Sequence, residues 1–228
     1  MDQIDNDTIV SGSRDKRIRI WKISTGVTIR IIDIDWLSAS TVFSVRVLLN
    51  NYHEIACGID KRSSENLKIY NYITGDFVQS LNGHTQFVYS IQTLSEQYQY
   101  MASEIGYSNV IIWDLTLYLS KYILSGHKGN VYCLKRISSN LLASADENSK
   151  IIICNWLNGT LVHTLTGHSN ILYFSSLDLY DEQTLISGSM DKMIKFWDIS
   201  SGQLIESINT EISITALVII NTSKFSIF

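Results

Sequence analysis

The chain has 228 residues, of which 45% are hydrophobic and 18% are charged, and its formal net charge at pH 7 is -4. A chain of this length and composition can bury a core as one all-β domain or as two small domains. The acidic balance excludes a general attraction to nucleic acid or to anionic membranes, so an electrostatic partner would have to meet a local patch.

The beginning of the chain, MDQIDNDTIV, has neither the basic nor the apolar segment of a secretion signal, and the longest apolar run, ALVII, is too short to cross a bilayer. These features predict a cytoplasmic protein, with a nuclear location also open. Cys57, Cys133 and Cys154 are odd in number and lack metal-type spacing, so we interpret each as a small buried hydrophobic residue. Neither common glycine-rich phosphate loop occurs. We therefore expect no disulfide frame, metal site or cofactor.

In chain order, short alternating runs of β-branched and aromatic residues follow one another, bounded by polar turn residues. Five segments, KRIRIWKISTG, NLKIYNYITG, NVIIWDLTLY, KIIICNWLNG and MIKFWDISSG, align on a central residue. The central residues, separated by 49, 43, 41 and 43 positions, are Trp21, Tyr70, Trp113, Cys154 and Trp197. In four of the segments a glycine follows five positions later, at Gly26, Gly75, Gly159 and Gly202. The spacing indicates a repeated unit.

Each period has room for four strands, which we label a to d. Strand a follows a Gly-His pair ending at His84, His127 or His168, strand b carries a sequence such as LISG, strand c carries the central residue, and strand d follows the turn glycine. No segment has a sustained helical period, and the absence of proline suits a chain of central strands.

The period of about 43 residues, the Gly-His before strand a and the Trp-Asp that closes strand c resemble the WD-repeat β-propeller family. The resemblance covers essentially the whole chain. It implies an all-β propeller of about five four-stranded blades, forming a single domain over residues 1–228. We expect the chain to begin just before a strand b. The segment ISITALVII could complete the first blade and close a five-bladed ring, or the chain could be part of a longer propeller. We favour an incomplete ring, because SKFSIF would duplicate the strand b in TIVSG.

The best repeat contains His168, Ser187 and Asp191, which together suggest a hydrolase triad. No nucleophile elbow or oxyanion motif accompanies them. In WD repeats similar to this one, these residues and the strand c tryptophan, here Trp197, form a buried hydrogen-bonded tetrad. The resemblance therefore implies structural roles and no catalytic residue.

The other repeats are partial copies of this tetrad. The third retains His84, Ser103 and Trp113, with Tyr107 at the position of the acid. The fourth retains His127 and Ser144, with Asn148 at the acid position and Cys154 at the tryptophan position. The first and second contain, respectively, Ser11, Asp15 and Trp21, and Cys57, Asp60 and Tyr70.

Propellers without a grafted active site mostly bind other proteins, so the resemblance implies a non-enzymatic interaction scaffold or substrate-recognition module. In WD-repeat proteins the d-a and b-c loops share the narrower face, the commonest binding face. The candidate partner-binding residues on these loops are Arg14, Trp36, Ile59, Gln86, Phe87, Lys128, Asn130, Asn170 and Met190.

A basic patch is predicted where Arg14, Lys16, Lys61 and Arg62 come from two adjacent b-c loops. We hypothesise that it docks an acidic or phosphorylated peptide, because forked guanidinium donors match carboxylate and phosphate oxygens. The alternative is a solvated hairpin whose charges only maintain solubility. Trp156 lies outside the strand c register and is either a binding anchor or a residue buried between blades.

Two other functions stay open. A propeller enzyme would need a cluster of perturbed acids or a metal in a central channel. Nucleic-acid binding through the basic loops would show steep salt dependence, and the acidic total argues against it. His53 and His163 have no companions at ligand spacing, so the sequence predicts no metal site at either.

Overall fold

The computed structural model describes residues 1–34, 41–48, 52–60, 65–95, 100–105, 109–173, 175–221 and 224–227. These residues form strands joined by turns and contain no helix, which confirms the predicted all-β class. A helix long and apolar enough to span a membrane is therefore also absent from the described part of the chain.

Five antiparallel sheets contain four consecutive strands each, in chain order. The first sheet is β1 (Asp2–Asp5), β2 (Thr8–Gly12), β3 (Arg17–Lys22) and β4 (Thr28–Asp33). The second is β5 (Val42–Val47), β6 (Glu54–Ile59), β7 (Leu67–Asn71) and β8 (Phe77–Leu81). The third is β9 (Ile91–Ser95), β10 (Tyr100–Ile105), β11 (Asn109–Asp114) and β12 (Leu119–Ser125). Each sheet has the strand order expected of a blade.

The fourth sheet is β13 (Val131–Arg136), β14 (Leu141–Asp146), β15 (Ile151–Asn155) and β16 (Thr160–Leu165). The fifth is β17 (Leu177–Leu179), β18 (Thr184–Gly188), β19 (Met193–Asp198) and β20 (Leu204–Asn209). Two further strands, β21 (Leu217–Asn221) and β22 (Lys224–Ile227), pair with each other in a two-stranded sheet.

The expectation that the first repeat begins at strand b is wrong. Strand β1 occupies the strand a position and pairs with β2, with Asp2 opposite Val10. The Asp2 carboxylate accepts the N–H of Val47 at 2.8 Å and lies 3.4 Å from the Arg46 guanidinium, so this polar segment is tied to strand β5. The first sheet therefore obtains its strand a from β1, and strand exchange with β21 does not complete it.

The chain divides into two compact units. One contains Met1–Gly106 and Trp113–Lys121, and the other contains Tyr107–Ile112 and Tyr122–Phe228. Strands β11 and β12 contribute residues to both units. A single domain over residues 1–228 stays a prediction.

Strands b and c form the core, and strands d face solvent. Every residue of β6 is buried, as are the first four of β15, whereas β8 and β20 are mostly exposed. Segments buried on both faces, such as IIIC in β15 and VIIW in β11, therefore read as continuous apolar runs, whereas β3 (RIRIWK) alternates. The three cysteines are free and buried, as predicted.

The turn from strand c to strand d requires a left-handed backbone. Gly202 has φ 70° in the fifth sheet, a conformation that glycine adopts without steric cost. In the third sheet the equivalent position is Tyr118, with φ 54°. Its hydroxyl donates a hydrogen bond to Glu54 Oε1 at 2.8 Å, which fixes the side chain at this turn.

Candidate functional site

The fifth sheet brings its four tetrad residues into one hydrogen-bonded network. His168 Nδ1 lies 2.8 Å from Asp191 Oδ2, and His168 Nε2 lies 2.7 Å from Ser187 Oγ. Trp197 Nε1 donates to the same Ser187 oxygen at 2.8 Å. Ser187 is on β18 and Trp197 on the neighbouring β19, while His168 precedes β17 and Asp191 lies in the turn between β18 and β19. Four different segments are thereby held together.

The charges of this network are set by burial and by hydrogen bonds. Burial lowers the pKa of His168, with Asp191 opposing the shift. Burial acts to raise the pKa of Asp191, but the Ser169 N–H and the His168 ring hold it below its usual value. The arrangement therefore assigns a neutral His168 that donates from Nδ1 to a carboxylate and accepts the Ser187 hydroxyl proton at Nε2. Every buried donor then has an acceptor.

The distances among His168, Ser187 and Asp191 are those of a catalytic triad, but Ser187 is not accessible as a nucleophile. The indole N–H of Trp197 occupies a lone pair of Ser187 Oγ, and Ser187 is 0% exposed. A nucleophilic serine needs space beside Oγ for a substrate carbonyl and donors for the resulting oxyanion. The contacts of Ser187 instead suit a rigid structural connection between strands.

The third sheet repeats part of the network. His84 Nε2 lies 2.8 Å from Ser103 Oγ, and Trp113 Nε1 donates to that oxygen at 2.7 Å. The His84 and Trp113 rings stack with centroids 5.5 Å apart. Burial lowers the pKa of His84 to about 4, with the Leu81 backbone opposing the shift. Tyr107, at the acid position, lies outside the described residues.

The first and second sheets depart further from the tetrad. Trp21 Nε1 donates to Ser11 Oγ at 2.8 Å, but Asp15 accepts a bond from Arg19 at 2.5 Å. In the second sheet, Cys57 and Tyr70 are both buried on neighbouring strands. The Tyr70 ring contacts Phe77 edge to face, with centroids 5.7 Å apart.

In the fourth sheet the acid that bonds the histidine is not at the predicted position. His127 Nδ1 lies 2.8 Å from Asp146 Oδ2, and His127 Nε2 lies 2.6 Å from Ser144 Oγ. Asn148, which the alignment placed at the acid position, instead donates its backbone N–H to Asp146 Oδ1 at 2.9 Å. Residues two apart on a strand point to the same face, so Asp146 reaches the histidine that Ser144 also contacts. Burial acts to raise the pKa of Asp146, but His127 and the Lys150 N–H bring it below its usual value.

The candidate partner-binding residues differ in exposure. Arg14, Lys128 and Asn170 are exposed, whereas Lys16, Gln86, Phe87, Asn130 and Met190 are half-buried. Ile59 is 0% exposed, so the expectation that it contacts a partner is wrong. Trp156 is 1% exposed, which makes it a core residue and not a surface anchor. Trp36, Lys61 and Arg62 lie outside the described residues.

The charges of the first b-c loop are partly paired. Arg17 Nε lies 2.7 Å from Asp33 Oδ1, and Arg19 Nη2 lies 2.5 Å from Asp15 Oδ2. Within the described ranges, Arg14 and Lys16 form no ion pair. The predicted basic patch is therefore reduced to these two cations in the part that the structure describes.

An aromatic side chain occurs at or just before strand a in four successive repeats, which we call the strand a aromatics: Phe43, Tyr89, Tyr132 and Tyr173. Each follows a buried aliphatic residue and is itself half-buried. Phe43 and Tyr89 meet edge to face at 4.9 Å, and Tyr132 and Tyr173 stack at 5.6 Å. The recurring Val-Phe, Val-Tyr and Leu-Tyr pairs were the sequence signal that could have identified them.

The family profile "WD domain, G-beta repeat" matches residues 3–22 and 159–198. The second match runs from the turn glycine of the fourth sheet to the Trp-Asp of the fifth, as the repeat predicts. The WD-repeat profile thus matches two segments of the chain. This confirms the resemblance drawn from the phased motifs.

Several relatives with WD repeats are similar to most of this chain. Apoptotic protease-activating factor 1 of Homo sapiens is 29% identical over 211 residues, covering 87% of this chain and 16% of the relative. Nuclear distribution protein nudF of Aspergillus niger is 27% identical over 213 residues, covering 91% of this chain and 40% of the relative. Autophagy-related protein 16 of Arabidopsis thaliana is 22% identical over 187 residues, covering 82% and 35%. The chain thus spans less than half the length of each.

Proposed function

We propose that this WD-repeat chain is a non-enzymatic scaffold that binds another protein or peptide through the strand a aromatics of its first unit, Phe43 and Tyr89. WD-repeat proteins generally bind other proteins. The observation that carries the proposal is the recurrence of a half-buried aromatic ring at one position of four successive repeats. Aromatic rings supply large contact areas at low cost in conformational entropy, and they dominate binding energy at protein interfaces.

The tetrads support a structural role beside this surface. They anchor the loops that precede strand a, because His84, His127 and His168 each bond a strand b serine. A fixed loop presents the following aromatic side chain in one orientation, which reduces the ordering cost of binding. No cluster of metal-ligating side chains occurs in the described part of the chain.

An acidic partner segment is the chemistry that we propose for this surface. Arg14 is exposed, and it follows Ser13, whose carbonyl accepts the N–H of Val42 at 3.1 Å. This places Arg14 near the strand that carries Phe43. A guanidinium beside an aromatic ring offers a carboxylate or phosphate a forked donor at the edge of an apolar contact.

Partner capture tests the proposal. We expect the Phe43→Ser, Tyr89→Ser double variant to recover its partner from native lysate at least 30-fold less than the unchanged chain, because the loss of even one hot-spot side chain costs about 2 kcal/mol or more. The matched control is Ile29→Ser with Ile205→Ser, which changes exposed side chains on strands d. Equal recovery by both double variants, at unchanged circular dichroism, would exclude the strand a surface.

A further inference from the structure

The fourth sheet has a cysteine, and no indole, at a position that its strand pairing identifies. Cys154 lies opposite Leu142 and Leu161, as Trp197 lies opposite Leu185 and Leu204. Ten positions separate Cys154 from Ser144, the same spacing as between Trp197 and Ser187. A thiol is far smaller than an indole, so a space of ring size is expected beside Ser144.

A cavity of about 240 Å³ opens there within the second unit. Its walls include the buried side chains of Val110, Leu124 and Ile152. Ile123 and Leu161 also line it and are 61% and 57% exposed, so the cavity has a mouth to solvent. Engineered apolar cavities of roughly 150 Å³ already bind benzene, so this volume accepts a bicyclic ring.

The polar end of the cavity is formed by His127 and Ser144. Because His127 Nδ1 bonds Asp146, its Nε2 accepts the Ser144 hydroxyl proton at 2.6 Å, and Ser144 Oγ keeps a lone pair for a further donor. Ser11, Ser103 and Ser187 each accept an indole N–H, at 2.8, 2.7 and 2.8 Å respectively. Among the described residues no indole donates to Ser144.

We propose that this cavity binds a small planar heteroaromatic molecule of the indole class, whose ring N–H donates to Ser144 Oγ. The chain itself provides the template, since the strand c residue of three other sheets places an indole against the equivalent serine. Cys154 contributes a neutral wall, because burial raises the pKa of its thiol to about 12. The site is independent of the protein-binding surface proposed above.

A ligand pair tests the hydrogen bond without altering the protein. In 1-methylindole a methyl group replaces the ring N–H hydrogen of indole and so removes the donor, and each ligand is titrated into the unchanged chain by calorimetry and by methyl NMR. We expect saturable binding of indole at one site, shifted methyl resonances for Leu124, Ile152 and Leu161, and roughly ten-fold weaker binding of 1-methylindole. Absence of saturable indole binding, or equal affinity for both ligands, would overturn the proposal.

Variants locate the binding. The Cys154→Trp variant fills the cavity with the chain's own indole, and we expect it to lose indole binding. The matched control Cys154→Ala keeps the space and should retain the affinity within about three-fold. Ser144→Ala should weaken the binding of indole roughly ten-fold and remove the preference for indole over 1-methylindole. Undiminished binding by a folded Cys154→Trp variant would contradict the location, and if that variant does not fold, the ligand pair on the unchanged chain decides.

Discussion

We expect the Trp197→Ala variant to lose about 3–5 kcal/mol of unfolding free energy, which is the range for truncating a buried tryptophan. Trp197 is 2% exposed and packs in a cluster with Leu165, Leu185 and Ile199. Its removal leaves a cavity in this cluster and deprives Ser187 of its indole donor. Urea denaturation followed by circular dichroism measures the loss.

Two milder variants separate packing from hydrogen bonding. Trp197→Phe retains most of the apolar area but removes the N–H, so we expect it to lose less than Trp197→Ala. A double-mutant cycle of Trp197→Phe with Ser187→Ala isolates the bond between the two side chains. We expect a coupling of about 1 kcal/mol. Ile205→Ser, on the exposed face of β20, is the control and should change stability by no more than about 0.5 kcal/mol. A Trp197→Ala loss as small as that of the control would contradict a buried structural network.

The second large effect concerns Glu104, a fully buried carboxyl on β10. Its Oε1 accepts the N–H of Ser90 at 2.6 Å, and its Oε2 has no hydrogen-bond partner among the described residues. Burial raises the pKa of Glu104 well above its usual value, with the N–H groups of Ser90 and Tyr89 opposing the shift. We therefore expect Glu104→Gln to stabilise the protein at pH 7 by about 1–3 kcal/mol, because it removes an incompletely bonded buried acid.

The sign of the pH dependence follows from the raised pKa. Between the unfolded value of 4.5 and the higher folded value, the folded state binds more protons, so the contribution of Glu104 to stability falls as pH rises through this window. We expect the advantage of Glu104→Gln to be absent below about pH 4.5 and to grow above it. Glu182→Gln, at an exposed turn, is the control. A constant difference at all pH values would contradict the assignment.

His84 changes the unfolding free energy with pH in the opposite direction to Glu104. The comparison of variants must therefore cancel the contribution of His84. Its folded pKa of about 4 lies below the ordinary 6.5, so its contribution is fully present above pH 6.5 and is lost as pH falls toward 4. The shift corresponds to roughly 3 kcal/mol. Because His84 is present in both the unchanged chain and Glu104→Gln, the difference between their unfolding free energies reports Glu104.

The repeat could be predicted from the sequence because strand c and its turn glycine keep a constant spacing, and the sheets confirm this order. Strand β1 was missed because the segment DQID has no β-branched or aromatic pattern, and its position depends on the contacts of Asp2 with β5. Asp146 was missed because the alignment counted from the serine to the turn. The acid can lie two residues after the serine at the end of strand b, as Asp146 does, or four residues after it in the turn, as Asp191 does, and only the backbone path selects between these positions.

The burial of individual side chains could also not be predicted from the sequence alone. Trp156 could be either an anchor or a core residue by its pattern, and its 1% exposure follows from the packing of neighbouring strands. The strand a aromatics alternate with core aliphatic residues, so they read as ordinary strand residues until their exposure is known. The cavity beside Cys154 could not be predicted from the cysteine at the tryptophan position alone. Its recognition also needed the register of the paired strands.

The central claim is that the sheets are copies of one bonded unit, in which the fourth retains His127, Ser144 and Asp146 and lacks the indole. The unfolding free energy of the Cys154→Trp variant tests it most directly. We predict a gain of about 2 kcal/mol relative to the unchanged chain, because the added ring is buried in existing space and donates to Ser144. A loss of about 1–3 kcal/mol, as overpacking produces, would mean that the fourth sheet has closed around Cys154 and is not an incomplete copy of the others.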